Sequence, residues 1–157
     1  YEISACLVGS EMCIRDRIMV DQNCAYCVEG DLVAKFGIKI CELETSKVYL
    51  FKEQSHPGRC IVAHKKHVGD MNELTAEERA AYFEDVARVA RAIMAAFHPD
   101  KVNYGAYGDT GHHLHFHLCP KYKDEFEWGG VFLMNPDKKY LTDAEYAEMI
   151  EKIKANL

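Results

Sequence analysis

His113-Leu114-His115-Phe116-His117-Leu118-Cys119 decides the reading of this 157-residue chain. Side chains on a β-strand point alternately to its two faces, so residues two apart share one. A strand over 114–119 sends Leu114, Phe116 and Leu118 to one side, enough to anchor it in a core. His113, His115 and His117 then line up on the other. Such a row can bind a metal, since imidazole is a good ligand for zinc. It can equally be a nucleophile flanked by groups that orient and polarise it. Near neutral pH a histidine is partly unprotonated, and its ring can be displaced again after attack. The pattern alone leaves both possibilities open.

Upstream, 32–40 (LVAKFGIKI) is rich in β-branched and aromatic residues and 47–52 (KVYLFK) alternates, so both read as strands, with a polar turn at 42–46 between them. The apolar run 60–63 makes a third strand and 101–107 a fourth. Thr75 followed by Glu78 is a capping box that opens a long helix at Ala76. Phe83, Val86, Val89, Ala90, Ile93, Met94 and Phe97 give that helix one apolar stripe, and Pro99 lies just past its end. A second box, Thr142 with Glu145, opens a C-terminal helix with Tyr146, Met149, Ile150 and Ile153 on one face. Strands outnumber helices without regular βαβ alternation. The expected fold is therefore α+β, with a mainly antiparallel five-stranded sheet, one long helix and a C-terminal helix.

The chain has room for one domain, and 48% hydrophobic with 28% charged residues is ordinary for a globular one. No apolar stretch approaches the roughly 20 residues of a membrane span. A formal net charge of −6 argues against broad contact with a nucleic-acid polymer. A small phosphate ligand needs only a local patch of donors. The seven cysteines are odd in number and irregularly spaced. With no basic start followed by an apolar run, they point to a reducing compartment, the cytoplasm. Residues 1–17 (YEISACLVGSEMCIRDR) have neither period and resemble the conceptual translation of a sequencing adapter. They are expected to be non-native and without order. The natural protein is expected to start near Met19, and 18–157 to form the single domain.

H-x-H-x-H followed by two apolar positions, each x also apolar, resembles the signature of the histidine triad (HIT) superfamily. The likeness extends to 59–67 (RCIVAHKKH), similar to that family's central strand and its basic end. It extends also to 103–108, similar to the family's loop before the triad, with the long helix between. About 23–122 is covered, and Trp128-Gly129-Gly130 resembles the tail of a bacterial branch that is diadenosine tetraphosphate hydrolase-like. The resemblance implies a hydrolase acting at the α-phosphorus of a nucleoside phosphoramidate or dinucleoside polyphosphate. By it, His115 attacks phosphorus and forms a nucleotidyl-histidine, which water resolves, while His117 holds the phosphate oxygens. Asn103 and Thr110 take places where the family offers polar groups to substrate. Arg59 stands where some relatives have another histidine, and a guanidinium suits phosphate. Asp109 replaces a commoner amide-bearing residue and, as an anion, is expected to stay clear of the phosphate. A homodimer is implied as well.

Cys24-Ala25-Tyr26-Cys27 fits half a zinc site, a redox pair or coincidence. The redox reading is weakened because no strand precedes the pair and no helical pattern follows it. A zinc site needs two more ligands, for which His67 and His113 are candidates, and Cys₂His₂ would be closed and structural. That set resembles the zinc-bearing branch of the superfamily, in which the first histidine of the motif is a ligand and the next the nucleophile. Cys41, Cys60 and Cys119 read as small core residues, 64–66 as a solvated turn, and His56 and His98 as loop residues. His112, out of phase with the triad, should face away from it. Two other classes remain in play: a nucleotidyltransferase, and a non-catalytic zinc- or nucleotide-binding protein.

Overall fold

The computed structural model describes residues 20–157, so the reading of 1–17 lies outside the described residues. Five strands form one sheet: β1 (Gly37–Glu42), β2 (Ser46–Phe51), β3 (Cys60–His64), β4 (Lys101–Gly105) and β5 (His115–Lys121). Their order is β1-β2-β3-β5-β4, with every neighbouring pair antiparallel. Two short helices, α1 (Ala25–Val28) and α2 (Gly30–Ala34), precede the sheet. The long α3 (Ala76–Phe97) crosses between β3 and β4, and α4 (Asp143–Lys154) closes the chain.

The sheet separates two apolar layers. On one side Val48, Leu50, Cys60, Val62, Leu114, Phe116 and Leu118 pack with Tyr82, Val86, Val89 and Ile93 of α3 and Tyr146, Ile150 and Ile153 of α4. Each such side chain contributes about 1.5–3 kcal/mol when buried. On the other side Tyr26, Val33, Tyr49, Phe51, Ile61 and Ala63 form a smaller cluster. The β3–β5 register sets His117 opposite Ile61 and His115 opposite Ala63. The imidazoles therefore lie on the face away from the long helices.

Both capping boxes form as the sequence predicts. Thr75 Oγ1 accepts from Glu78 N while Glu78 Oε2 accepts from Thr75 N, and Thr142 with Glu145 does the same. The buried stripe of α3 is turned slightly from the predicted one. Tyr82 and Ala92 go inside, whereas Phe83 and Met94 are exposed. The Tyr82 hydroxyl donates to Val62 O at 2.7 Å, which fixes the helix's rotation against β3.

The first strand differs more. It begins at Gly37, and 32–34 belong to α2. Val33 packs in the cluster on the histidine face, while Ile38 and Ile40 pack on the helix face. One apolar run thus serves both layers, and the chain must turn between them.

A buried carboxylate ties α3 to the β1–β2 turn. Asp85 Oδ2 accepts from Thr45 N (2.9 Å), Thr45 Oγ1 (2.8 Å) and Ser46 Oγ (2.7 Å). Unmet donors in a buried site cost about 1–3 kcal/mol each. Asp85→Ala is expected to lower unfolding stability by roughly 2–4 kcal/mol, read from the shift of the urea midpoint at unchanged slope, with Asp85→Asn losing less.

Candidate active site and metal centre

Three histidines of the β5 row are buried, and each is held in one tautomer by a different partner. His113 Nε2 lies 2.7 Å from His64 O, and a carbonyl can only accept, so this nitrogen carries the hydrogen. The lone pair of His113 is then on Nδ1. His115 Nδ1 lies 2.7 Å from His113 O and by the same logic donates, which leaves Nε2 unprotonated. His117 Nδ1 faces Arg59 Nη2 at 3.2 Å, and a guanidinium can only donate. His117 is thus an acceptor at Nδ1 and an N–H donor at Nε2.

Burial holds all three imidazoles below the usual histidine range. It lowers His115, pushes His113 down to about 4, and, with Arg59 adding positive charge, pushes His117 down to about 2. The Tyr26 ring braces the row, 5.2 Å from the His113 ring and 5.0 Å from that of His115. Nothing in the sequence marked Tyr26 for this, although its place inside C-x-x-C ties it to the same corner.

His113 Nδ1 points into a cluster of four donors. It lies 3.3 Å from Cys24 Sγ, 3.6 Å from Cys27 Sγ and 3.2 Å from His67 Nδ1, and Cys27 Sγ lies 3.2 Å from His67 Nδ1. All four atoms fall within 4.8 Å of one another. Metal–nitrogen bonds near 2.0–2.1 Å and metal–sulfur bonds near 2.3 Å imply tetrahedral edges of about 3.3–3.8 Å. Four of the six edges, at 3.2–3.6 Å, fit that frame and the others do not exceed 4.8 Å, so Cys24, Cys27, His67 and His113 can hold a four-coordinate metal ion. The Asp21 carboxylate lies 3.9 Å from the outer nitrogen of the cluster's His67, Nε2.

A cleft of about 300 Å³ opens at this row, lined by His113 and His115 and by Asp70, Tyr107, Asp109 and His112. One expectation needs correction here. His112 lines the cleft instead of facing away, because β5 starts only at His115 and 111–113 form a turn, His113 N bonding to Gly111 O. Strand alternation does not reach His112. Asp109 lines the same cleft, while its neighbour Thr110 is exposed on the loop.

Asn103 shares the histidine face, since it pairs with Cys119, but it lines a separate cavity of about 320 Å³ with Lys101, Lys121 and Trp128. Arg59 is fully buried beneath His117. His64, read as part of a solvated turn, is buried against Tyr82, and its carbonyl holds His113. His56 is a loop residue, but a buried one, with Nε2 donating to Glu127 Oε2 at 2.6 Å. Cys60 and Cys119 are buried and Cys41 half-buried.

A two-faced antiparallel sheet that aligns a buried row of neutral imidazoles beside a thiol–imidazole cluster defines a histidine-centred site on an α+β domain. The family model described as the HIT domain matches residues 37–124, more than half of the chain, and the protein belongs to that family. It is 28% identical over 116 residues to adenosine 5′-monophosphoramidase of Schizosaccharomyces pombe, covering 68% of this chain and 80% of the relative. Among solved structures, a histidine triad protein of Sinorhizobium meliloti superposes with a TM-score of 0.75 at 22% identity, covering 82% of this chain and 95% of that one. A Zn-bound histidine triad family protein of Mycobacterium smegmatis gives 0.61 at 23% identity, covering 85% and 91%. Among the described residues, no helix is long and apolar enough to cross a membrane.

Five buried histidines (56, 64, 113, 115 and 117) are shifted below their ordinary 6.5 by burial. Between 6.5 and those lowered values the unfolded chain binds more protons than the folded one, so stability rises with pH there. The contribution is fully present above about 6.5 and is lost as pH falls through this window. The urea midpoint is expected to drop markedly from pH 7.5 to 5.5, a range above the titration of ordinary carboxylates. An unchanged midpoint would contradict the assignment.

Proposed function

We propose that the protein hydrolyses a nucleoside phosphoramidate or dinucleoside polyphosphate at the α-phosphorus through a nucleotidyl intermediate on His115. The observation that carries this reading is the bond from His115 Nδ1–H to His113 O, which leaves Nε2 as the ring's nucleophilic nitrogen. Nε2 bonds to phosphorus as the bond to the amine or phosphate leaving group breaks, and the leaving group takes up a proton. Water then bonds to the same phosphorus, the P–N bond to His115 breaks, and a nucleoside monophosphate departs with a proton released. His117 Nε2–H donates to a phosphoryl oxygen where charge develops. Asn103 and Thr110 offer polar contacts to parts of the substrate further from the reacting phosphorus. The name of the fission yeast relative supports the phosphoramidate side of this choice.

Cys24, Cys27, His67 and His113 are proposed to hold zinc, for which two thiolates and two imidazoles are a characteristic closed set. Bound there, zinc supplies structure and fixes the His113 ring, and with it the carbonyl that orients His115. Thiolate ligands also fit the cytoplasm, where they stay reduced. A homodimer completes the proposal. β4 is a sheet edge, and Tyr104 on it is exposed, as are Trp128, Val131 and Leu133 of the loop after β5.

The test is turnover of adenosine phosphoramidate, adenylyl-lysine and diadenosine tetraphosphate by wild type and His115→Ala, with mass spectrometry for a nucleotide adduct. Wild type is expected to turn over at least one and to carry the adduct transiently, and His115→Ala to do neither. Activity surviving in His115→Ala, or wild-type inactivity on all three, would remove the hydrolase reading for these substrates. His117→Ala is expected to lose roughly 10²–10³-fold in kcat. Cys24→Ser with Cys27→Ser is expected to abolish equimolar zinc by elemental analysis and to lower the melting temperature, so that chelation unfolds the protein before it silences a folded one.

A further inference from the structure

Arg59 lies one residue before β3 with none of its surface exposed. Its guanidinium sits between two aromatic rings, 4.2 Å from the centroid of Phe51 and 4.9 Å from that of Phe132. Nη1 donates to Leu133 O at 3.1 Å and Nη2 to His117 Nδ1 at 3.2 Å, with Met134 Sδ 3.5 Å from Nη2. Nε finds no partner, and among the described residues no carboxylate stands within ion-pair distance. The carboxylates of Glu53 and Glu127 favour the buried charge through space, but burial outweighs them, so the cation is held at a cost.

The fork is held from the far side by the segment after β5. Phe132 is buried on the guanidinium, and the Leu133 carbonyl receives one arm. That segment is itself pinned: the Glu127 carboxylate accepts from His56 Nε2 at 2.6 Å and from Leu133 N at 3.0 Å, and Lys121 Nζ donates to the carbonyls of Glu127 and Gly130. The arrangement leaves Arg59 no route to the open cleft, but it places a fixed donor on one nitrogen of His117.

We infer that Arg59 is a positioning residue, which never touches substrate but locks His117 as the tautomer with its hydrogen on Nε2 and faces its positive charge toward the phosphate behind that ring. The inference rests on the reading of His117 as the phosphate-holding group. A neutral imidazole has two tautomers, and only the one with hydrogen on Nε2 can donate there to a phosphoryl oxygen. A donor-only partner at Nδ1 excludes the other tautomer, and it opposes protonation as well. Lysine could bring the charge, but not a planar fork spanning Leu133 O and His117 Nδ1.

The test reads the tautomer directly, by long-range ¹H–¹⁵N correlation of the His117 ring in the full-length protein without substrate. Wild type is expected to show His117 with its hydrogen on Nε2 alone. Arg59→Met, which removes both donors, is expected to give mixed or reversed tautomers and, with a turned-over substrate, roughly a 10–100-fold loss in kcat with little change in KM. Arg59→Gln keeps an N–H donor without the charge. It is expected to restore the wild-type tautomer and part of kcat, and it carries the test if the methionine variant fails to fold. An unmoved tautomer in a folded Arg59→Met would overturn the inference. So would a raised KM at unchanged kcat, which would mean that Arg59 binds substrate itself. Because the spectrum needs no substrate, wild-type inactivity on every nucleotide would count against the hydrolase reading and leave the tautomer result standing.

Discussion

A β-strand must satisfy two faces at once, and most of this structure answers to that constraint on β5. Leu114, Phe116 and Leu118 are drawn into the layer beneath α3 and α4, and their burial holds the strand in register between β3 and β4. The opposite face is thereby committed to His115 and His117, while His113, in the turn before the strand, is brought to the same side by the His64 carbonyl. A small apolar cluster around Tyr26, Phe51 and Ile61 covers that face, making the environment dry enough to hold the imidazoles neutral. The same burial that disfavours their charged form suits them to be ligand, nucleophile and donor.

Orientation then passes through atoms that belong to the backbone as much as to side chains. The His64 carbonyl sets His113, the His113 carbonyl sets His115, and Arg59 sets His117. Three neutral rings side by side could adopt many tautomer combinations, and these bonds select one. The donor cluster at Cys24, Cys27 and His67 sits at the start of this series, since it faces the remaining nitrogen of His113. A change at the cluster can therefore reach the His115 ring without any direct contact between them.

Much of this was legible in the sequence, for identifiable reasons. Strand alternation and capping boxes are local, so β5, α3 and α4 could be read from residues a few positions apart. The gathering of Cys24, Cys27, His67 and His113 was legible because metal-ligand chemistry narrows the choice of partners. What was hidden depended on how distant pieces meet. The run 32–40 looked like one strand because its residues are β-branched and aromatic, whereas tertiary packing splits it between two layers. His112 was assigned a face by extending a strand that ends before reaching it. His64 looked solvated from its lysine neighbours, yet its carbonyl is a fixed point of the site. The partner of Arg59 follows from cross-strand placement and a segment more than seventy residues away, which no local pattern encodes.

The bond between the His113 ring and the His64 carbonyl spans 49 residues of chain. Between its ends lies the whole of α3, so the bond closes a long loop whose entropic cost the packing of β3, α3 and β5 must offset. His115 takes its orientation from the next link, and so its tautomer is defined only where the backbone at His113 is in its native place. A partly folded chain, even one with its sheet half built, carries the full set of histidines in scrambled tautomers. A defined set of tautomers at this site is thus a signature of completed tertiary structure, which no local element can produce alone.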